Sequence, residues 1–232
     1  MRYRLAICTS FSIDISMTKE SIWNVYDRYG QFYDFTFGRI LDPGRKKAVN
    51  LMNVKSNQKI IEFGIGTGLS FKHYPKSIKI EMTGIDLSKK MLNKAQIRSR
   101  KFQNLNITLK NLDGENTHFE DASFDKVVLM YVYSVTANPE KIITEALRIC
   151  KDDGSIYIVN HFSQSNGRNL SVFEKIISSS TTKIGFRSDF SYKKYIEHLD
   201  LKIESIESAN IFALTKVIHL KKDKNTHLLK AN

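Results

Sequence analysis

The residues whose types and spacing indicate chemistry are three glycines at alternate positions, Gly64, Gly66 and Gly68. They directly follow an apolar run, 59–63, that has the length of a buried parallel strand. Glycine permits positive φ and lets a ligand lie against the backbone of such a loop. Residues 69–74 then have the character of the first turns of a helix. A strand, a glycine loop and a helix form the opening unit of a nucleotide-binding doubly wound sheet.

The spacing of the glycines separates the nucleotide classes. A dinucleotide fingerprint, G-x-G-x-x-G, requires glycine where this chain has Leu69, and a P-loop requires a Gly-Lys-Ser/Thr that does not follow. Glu62 ends the strand, where its negative charge repels a pyrophosphate and suits a ligand with an amino group or a cationic centre. A glycine turn in some other α/β protein is the alternative interpretation.

Two more predicted strand ends carry residues suited to a ligand. Asp86 ends the strand 80–86, about twenty residues beyond the glycine loop, where a carboxylate accepts ribose hydroxyls. Ser88 is the expected N-cap of the next helix, which leaves Asp86 available for the ribose. Tyr131 and Val132 follow the fourth strand, at the carboxyl edge where ligands bind in open α/β sheets.

The elements that position these residues alternate along the chain. Helices are expected over 21–41, 45–53, 88–102 and 138–150, with a break at Asp42-Pro43-Gly44, and further strands over 106–112, 124–131 and 155–162. A turn at 153–154 precedes the fifth strand. Strands 201–208 and 211–221 are close enough in sequence to pair antiparallel. Five β-α units followed by a hairpin predict an α/β fold with a mostly parallel sheet and one reversed strand.

Composition limits the function classes. The chain has 232 residues, 41% of them hydrophobic, and no apolar run long enough to span a bilayer. We expect a disordered extension over 1–16, a helical lid over 17–55 and one domain over 56–232. The net charge of +12 favours an anionic partner, although a general lysine bias explains it equally well. Two distant cysteines indicate a reducing cytoplasm, with neither a zinc site nor a disulfide.

The segment Glu-x-Gly-x-Gly-x-Gly at 62–68 resembles the first motif of class I S-adenosylmethionine-dependent methyltransferases. The resemblance implies a Rossmann-like fold with seven strands, S-adenosylmethionine as cofactor and no metal. In the family, the residue at Asp113 receives the adenine amino group, and Leu87 and Met91 flank the adenine. The expected cofactor-binding residues are Glu62, Gly64, Ile65, Gly66, Thr67, Gly68, Asp86, Leu87, Met91, Asp113, Gly114 and Tyr131.

Four further segments, at 35–38, 44–46, 66–70 and 159–162, together resemble the bacterial phospholipid N-methyltransferases that convert phosphatidylethanolamine to phosphatidylcholine. This implies a phospholipid substrate and a monomer bound peripherally to anionic lipid on the inner, cytoplasmic face of the membrane. The expected catalytic residues are Tyr26, Tyr33, Tyr131, Asn160 and His161, and the expected contacts to lipid phosphate are Arg45, Arg168 and Arg187.

Three other functions remain open at this point. A quinone or small-molecule C-methyltransferase shares the fold, the cofactor and the Tyr-Asp pair at 26–27. A nucleic-acid adenine methyltransferase is disfavoured, because the fourth strand ends without the Asn/Asp-Pro-Pro-aromatic segment that grips a flipped base, so no nucleic-acid partner is expected. A non-catalytic protein that only binds the cofactor is the third.

Overall fold

The computed structural model describes residues 38–133, 135–136, 138–161, 202–209 and 215–222. Within these residues seven strands form one sheet: β1 (Lys59–Phe63), β2 (Ile80–Asp86), β3 (Leu105–Asn111), β4 (Phe124–Met130), β5 (Cys150–His161), β6 (Ile203–Ser208) and β7 (Thr215–Lys221). Their order across the sheet is β3-β2-β1-β4-β5-β7-β6.

The direction of the strands confirms the predicted sheet. Strands β1 to β5 run parallel, and β7 runs antiparallel to both of its neighbours. The predicted turn at 153–154 lies inside β5, which begins at Cys150, but the register with β4 shifts there and the regular pairing starts at Ser155, the predicted start of the strand. The backbone N–H of Lys222, beside β7, donates to the Gly154 carbonyl at 3.4 Å, which keeps this segment at the sheet.

The described helices are α1 (Asp42–Met52), α2 (Lys89–Ser99), α3 (Pro139–Ile149) and a 3-10 turn (Phe71–His73). The break predicted at 42–44 lies at Leu41, between helical residues 38–40 and α1, and residues 42–44 form the first turn of α1. Proline is tolerated there, since the first-turn N–H groups have no partner within the helix. The Asp42 carboxylate stabilises this start, with its oxygens 2.9 Å from Lys72 Nζ and 2.9 Å from His73 Nε2.

Two crossovers contain little regular helix, the one after β1, where the first turns of a helix were predicted, and the one between β3 and β4. After β1 only the 3-10 turn forms, and residues 112–123, between β3 and β4, are turns and irregular backbone. Side chains stabilise this second crossover, because the Thr117 backbone N–H donates to Glu145 of α3 at 2.8 Å. The segment therefore needs no helix of its own to satisfy its backbone.

The core has two layers, one on each face of the sheet. On one face α1, α2 and the 3-10 turn cover side chains such as Ile60 and Val128, and on the other α3 covers Ile61 and Val127. All four side chains are fully buried, as expected for central strands covered on both faces. The two layers hold the carboxyl ends of β1, β2 and β4 in fixed positions.

No helix in the described part of the chain is long and apolar enough to cross a membrane. The predicted extension over 1–16 and most of the predicted lid, before residue 38, lie outside the described residues. Their boundaries stay a prediction.

Candidate active site

A cavity of about 150 Å³ lies at the carboxyl ends of β1, β2 and β4. This is the edge at which ligands bind in open α/β sheets. The cavity brings together the predicted cofactor residues Glu62, Gly64, Ile65, Gly66, Thr67, Asp86, Leu87, Met91, Asp113, Gly114 and Tyr131. Gly68 is the predicted cofactor residue that does not line it.

The three loop glycines have different surroundings, although their φ angles are +62°, +55° and +75°. A Cβ on Gly64 would lie 3.0 Å from Val132, and one on Gly68 would overlap the Phe71 ring. A Cβ on Gly66 would meet no atom closer than the Gly64 carbonyl oxygen, at 3.9 Å. Open space for a ligand against the backbone therefore exists at Gly66, whereas Gly68 makes room for packing of the 3-10 turn.

Asp86 connects β2 to the glycine loop. Its Oδ2 accepts the Gly66 N–H at 2.8 Å, and its Oδ1 accepts the Ser88 N–H at 2.8 Å. Burial raises the pKa of Asp86, although these backbone hydrogen bonds oppose the shift. Each carboxylate oxygen keeps a second lone pair, so the residue still suits two ribose hydroxyls. Ser88 caps α2 as predicted, accepting the Met91 N–H at 3.3 Å.

Glu62 is buried at the end of β1 and lines the cavity. Burial raises the pKa of its carboxyl to about 7, although the Arg45 charge and a long hydrogen bond from the Tyr74 hydroxyl, 3.5 Å, act in the opposite direction. A desolvated carboxylate is stabilised by a cation that enters the cavity. The residue suits the ammonium of an amino-acid group.

The opposite end of the cavity suits a purine. Leu87 is 43% exposed, unusual for a large apolar side chain, and faces the cavity together with buried Met91. Asp113 Oδ1 accepts the Glu115 N–H at 2.9 Å, which fixes the turn that carries the expected adenine contact.

Residues outside the motifs hold the site together. Arg98 of the basic helix α2 donates to Thr67 Oγ1 at 2.7 Å and to its carbonyl oxygen at 2.5 Å, which ties the helix to the glycine loop. Glu115 lines the cavity and accepts from Thr136 Oγ1 at 3.3 Å and Asn138 Nδ2 at 3.2 Å. Sequence analysis missed Glu115 as a site residue. Its position directly after Asp113-Gly114 was the available signal.

Tyr131 has an unusual backbone for a non-glycine residue, with φ +62°. Such strain clusters at functional sites. Its hydroxyl donates to the Leu41 carbonyl at 2.7 Å, and the Arg45 guanidinium lies 5.4 Å from its ring centroid. A Cβ on Gly44 would overlap this hydroxyl, so glycine is required there. The ring therefore joins the start of α1 to the cavity wall.

Among the other predicted catalytic and phosphate residues that the structure describes, Arg45 lines the cavity with Tyr131, whereas Asn160 does not. Asn160 is fully buried in β5 and does not line the cavity, and the backbone of His161 pairs with Thr215. Arg45 is buried in the cavity wall, so it is not the surface cation that the sequence suggested. Outside the described residues lie Tyr26, Tyr33, Arg168 and Arg187, together with the side chain of His161.

Comparison with known proteins decides the family. Residues 61–158 match a family model described as a methyltransferase domain. The chain is 31% identical to the phosphatidylethanolamine N-methyltransferase of Cereibacter sphaeroides, over 82% of this chain and 91% of that protein. The chain belongs to the S-adenosylmethionine-dependent methyltransferases. This methyltransferase is also 28% identical to the demethylmenaquinone methyltransferase of Tropheryma whipplei (strain Twist), over 59% of this chain and 57% of that protein.

The fold agrees with the family. The geranyl diphosphate C-methyltransferase of Streptomyces coelicolor A3(2), solved with S-adenosyl-L-homocysteine, matches with a TM-score of 0.66 and 11% identity, over 84% of this chain and 85% of that one. S-adenosylmethionine is the cofactor of this methyltransferase. The cavity fits it, since open space at Gly66, carboxylates at Glu62 and Asp86 and an apolar wall at Leu87 match its polar and aromatic parts.

Proposed function

We propose that this methyltransferase methylates the amine of phosphatidylethanolamine and of its methylated intermediates, towards phosphatidylcholine. One observation carries the proposal: the likeness to the Cereibacter sphaeroides phosphatidylethanolamine N-methyltransferase extends over 82% of this chain and 91% of that protein. The likeness to the quinone enzyme reaches 59% and 57%. A match over 195 residues necessarily extends beyond residues 61–158, the part that matches the methyltransferase-domain model.

The protein would accelerate methyl transfer mainly by aligning the cofactor with the substrate amine. The bound cofactor supplies a methyl group activated by its sulfonium. Holding this group in line with the attacking nitrogen supplies most of the rate enhancement, and the amine must be neutral to attack. Gly66 and Asp86, which line the cavity, would fix the position of the cofactor. No covalent nucleophile is required.

Tyr131 is suited to orient the amine. Its hydroxyl proton is donated to the Leu41 carbonyl, so the phenol oxygen is oriented to accept a hydrogen bond from the substrate nitrogen. The Arg45 guanidinium lies 5.4 Å from the ring centroid, and an aromatic ring of this kind also attracts a methylated ammonium. In this proposal Tyr131 positions the substrate and does not act as the base.

A phospholipid acceptor requires the enzyme to work at a membrane surface. We therefore infer peripheral binding to anionic lipid on the inner, cytoplasmic face. The net charge of +12 supports this inference, since each basic residue near such a surface contributes about 1 kcal/mol.

Methylation of a quinone ring carbon is the second candidate function. It is favoured by the match to the demethylmenaquinone methyltransferase, 28% identical over 141 residues. It requires the same cofactor cavity, and the acceptor alone distinguishes the two reactions.

The test is transfer of a labelled methyl group from S-adenosylmethionine to vesicles of phosphatidylethanolamine, with and without anionic lipid, beside a parallel reaction with demethylmenaquinone. We expect label in mono-, di- or trimethylated lipid, and faster transfer with anionic lipid. Gly66→Val serves as the background control. Label in the quinone alone, from protein that binds S-adenosylhomocysteine normally, would overturn the phospholipid assignment.

A further inference from the structure

Asn138 is the N-cap residue of α3, but its side chain does not cap the helix. Asparagine is preferred at this position because its side-chain oxygen accepts an N–H of the first helical turn. In the part of the chain that the structure describes, the Asn138 side chain accepts no such N–H. Its Nδ2 instead donates to Glu115 Oε2 at 3.2 Å. Departures from a local rule are expected at functional sites, so this contact requires its own explanation.

Thr136 joins the contact between Glu115 and Asn138. The Thr136 hydroxyl donates to Glu115 Oε1 at 3.3 Å and accepts the backbone N–H of Asn138 at 3.3 Å. Each carboxylate oxygen of Glu115 therefore accepts a hydrogen bond from the segment between β4 and α3. An ionised carboxylate only accepts hydrogen bonds, so the amide of Asn138 must present its nitrogen. The Glu115 side chain thus specifies where this segment lies.

The two chain segments that Glu115 connects both line the cavity. On one side, the Glu115 N–H donates to Asp113 Oδ1 at 2.9 Å, and both residues are lining residues. On the other side, Val135 and Thr136 line the cavity. Asn138 is exposed and contacts Glu115 from outside the cavity. The hydrogen bonds of Glu115 therefore hold one part of the cavity wall against another.

We propose that Glu115 is a positioning residue for the cofactor, which acts through Thr136 and Asn138. It holds the segment after β4 against the turn 113–115 and so keeps the cavity in the shape that binds S-adenosylmethionine. Two other assignments compete with this one. In the first, Asn138 serves only as the N-cap of α3, and in the second, Glu115 contacts the ligand directly.

The substitution Asn138→Asp separates positioning from helix capping. Aspartate is about as good an N-cap as asparagine, and a negative charge favours a helix N-terminus, so the melting temperature should stay the same or rise. The new carboxylate faces that of Glu115, and like charges repel. We expect the Kd for S-adenosylmethionine, measured by calorimetry on the full-length protein without any acceptor, to rise about tenfold. The rise should be smaller at high salt, which screens the repulsion.

A second substitution tests whether Glu115 is the partner. Glu115→Gln combined with Asn138→Asp restores the pair with donor and acceptor exchanged, because the glutamine amide can donate to the new carboxylate. We expect this double variant to regain most of the affinity that Asn138→Asp loses. Glu115→Ala removes both acceptors and should weaken binding about tenfold, and Asn138→Asp should then weaken it no further.

Asn116→Asp is the matched control, because it adds the same charge to an exposed side chain next to Glu115 and should leave the affinity unchanged. Unchanged affinity in Asn138→Asp would make Asn138 a helix cap only and would overturn the proposal. A loss that Glu115→Gln does not restore would also overturn it, in favour of direct contact between Glu115 and the ligand. Unchanged affinity in Glu115→Ala overturns it without any change at Asn138. These measurements need no acceptor, so they do not depend on whether the substrate is a phospholipid.

Discussion

Glu62 and Glu145 are both buried, at 2% and 7% exposure, and an arginine lies near each, yet their pKa values shift in opposite directions. Burial raises both. At Glu145 hydrogen bonds from Arg148 and Thr117 outweigh burial, and the pKa of Glu145 falls below its usual value. At Glu62 burial dominates and the pKa rises to about 7.

The partners of the two arginines explain the difference. Arg148 donates to Glu145 at 2.7 and 2.8 Å, to Asp121 at 2.6 Å and to the Phe119 carbonyl at 2.7 Å. At the cavity, the Arg45 charge and the long hydrogen bond from Tyr74 compensate the burial of Glu62 only in part. Removing one partner of a buried, hydrogen-bonded charge pair destabilises the fold, whereas a buried charge at a cavity with few partners is available for a ligand.

The largest effect is expected from a substitution that tests whether the cofactor binds in the cavity lined by Glu62. Gly66→Val fills the open space beside the loop, so cofactor affinity should fall at least about a hundredfold. Calorimetry with S-adenosylhomocysteine measures it. Because φ is +55° at this position, the variant also loses stability, and Glu145→Gln is the control for stability loss alone. Unchanged affinity would place the cofactor elsewhere.

The Glu62 carboxylate should lower the stability of the cofactor-free protein and strengthen the binding of the cofactor. A folded pKa of about 7 against an unfolded value of 4.5 means that the cofactor-free protein loses stability as pH rises from 4.5 to about 7. The loss is on the order of 3 kcal/mol. Glu62→Gln should therefore raise the melting temperature at pH 8 and weaken S-adenosylmethionine binding by about tenfold or more. A variant that is less stable at pH 8 would contradict this assignment.

Loss of the Glu145–Arg148 pair should lower stability and leave cofactor affinity unchanged. Glu145→Gln removes a charge that accepts from Arg148 and Thr117, and we expect a loss of about 2 kcal/mol, or about 4–8 °C in melting temperature. The pKa of Glu145 is lowered, so its stabilisation is present above pH 4.5 and is lost as pH falls below that value. Cofactor affinity should not change. A large loss of affinity would mean that Glu145 serves the site.

The smallest expected effect is the pH dependence of binding in wild type. Because the ionised form of Glu62 binds the ammonium, S-adenosylmethionine affinity should rise with pH, by at most about tenfold per unit, and level off near pH 7. Glu62→Gln should give a flat profile over the same range. Calorimetry between pH 5.5 and 8 measures both, and parallel profiles would exclude Glu62 as the titrating group.

Much of the fold followed from local signals. Apolar runs of strand length placed β2 at its observed bounds, the N-cap Ser88 placed the start of α2, whose end was predicted three residues too late, and the spacing of the hairpin gave the reversed strand. Local signals did not decide the segments whose structure depends on tertiary contacts. Asp42 begins α1 because it contacts His73, and residues 112–123 need no helix because Glu145 lies beside them. Neither partner is near in sequence.

The candidate site also contains features that local sequence signals predict and features that depend on tertiary contacts. Motif spacing indicated Glu62, Gly66 and Asp86, because the glycine loop and the strand ends are local features of the sequence. It did not separate Gly66 from Gly68, since only the packed structure places Phe71 against one of them. Nor did it find that Arg45 points inward, because the run 45–47 is equally basic at each position.

The contact between Gly44 and Tyr131 makes two distant positions depend on each other in evolution. A side chain at position 44 would overlap the Tyr131 hydroxyl and crowd Thr215 and Val159 as well. A lineage that loses the hydroxyl first gains some freedom at position 44, whereas the reverse order passes through a destabilised intermediate. Substitution histories at these two sites should therefore be ordered in time.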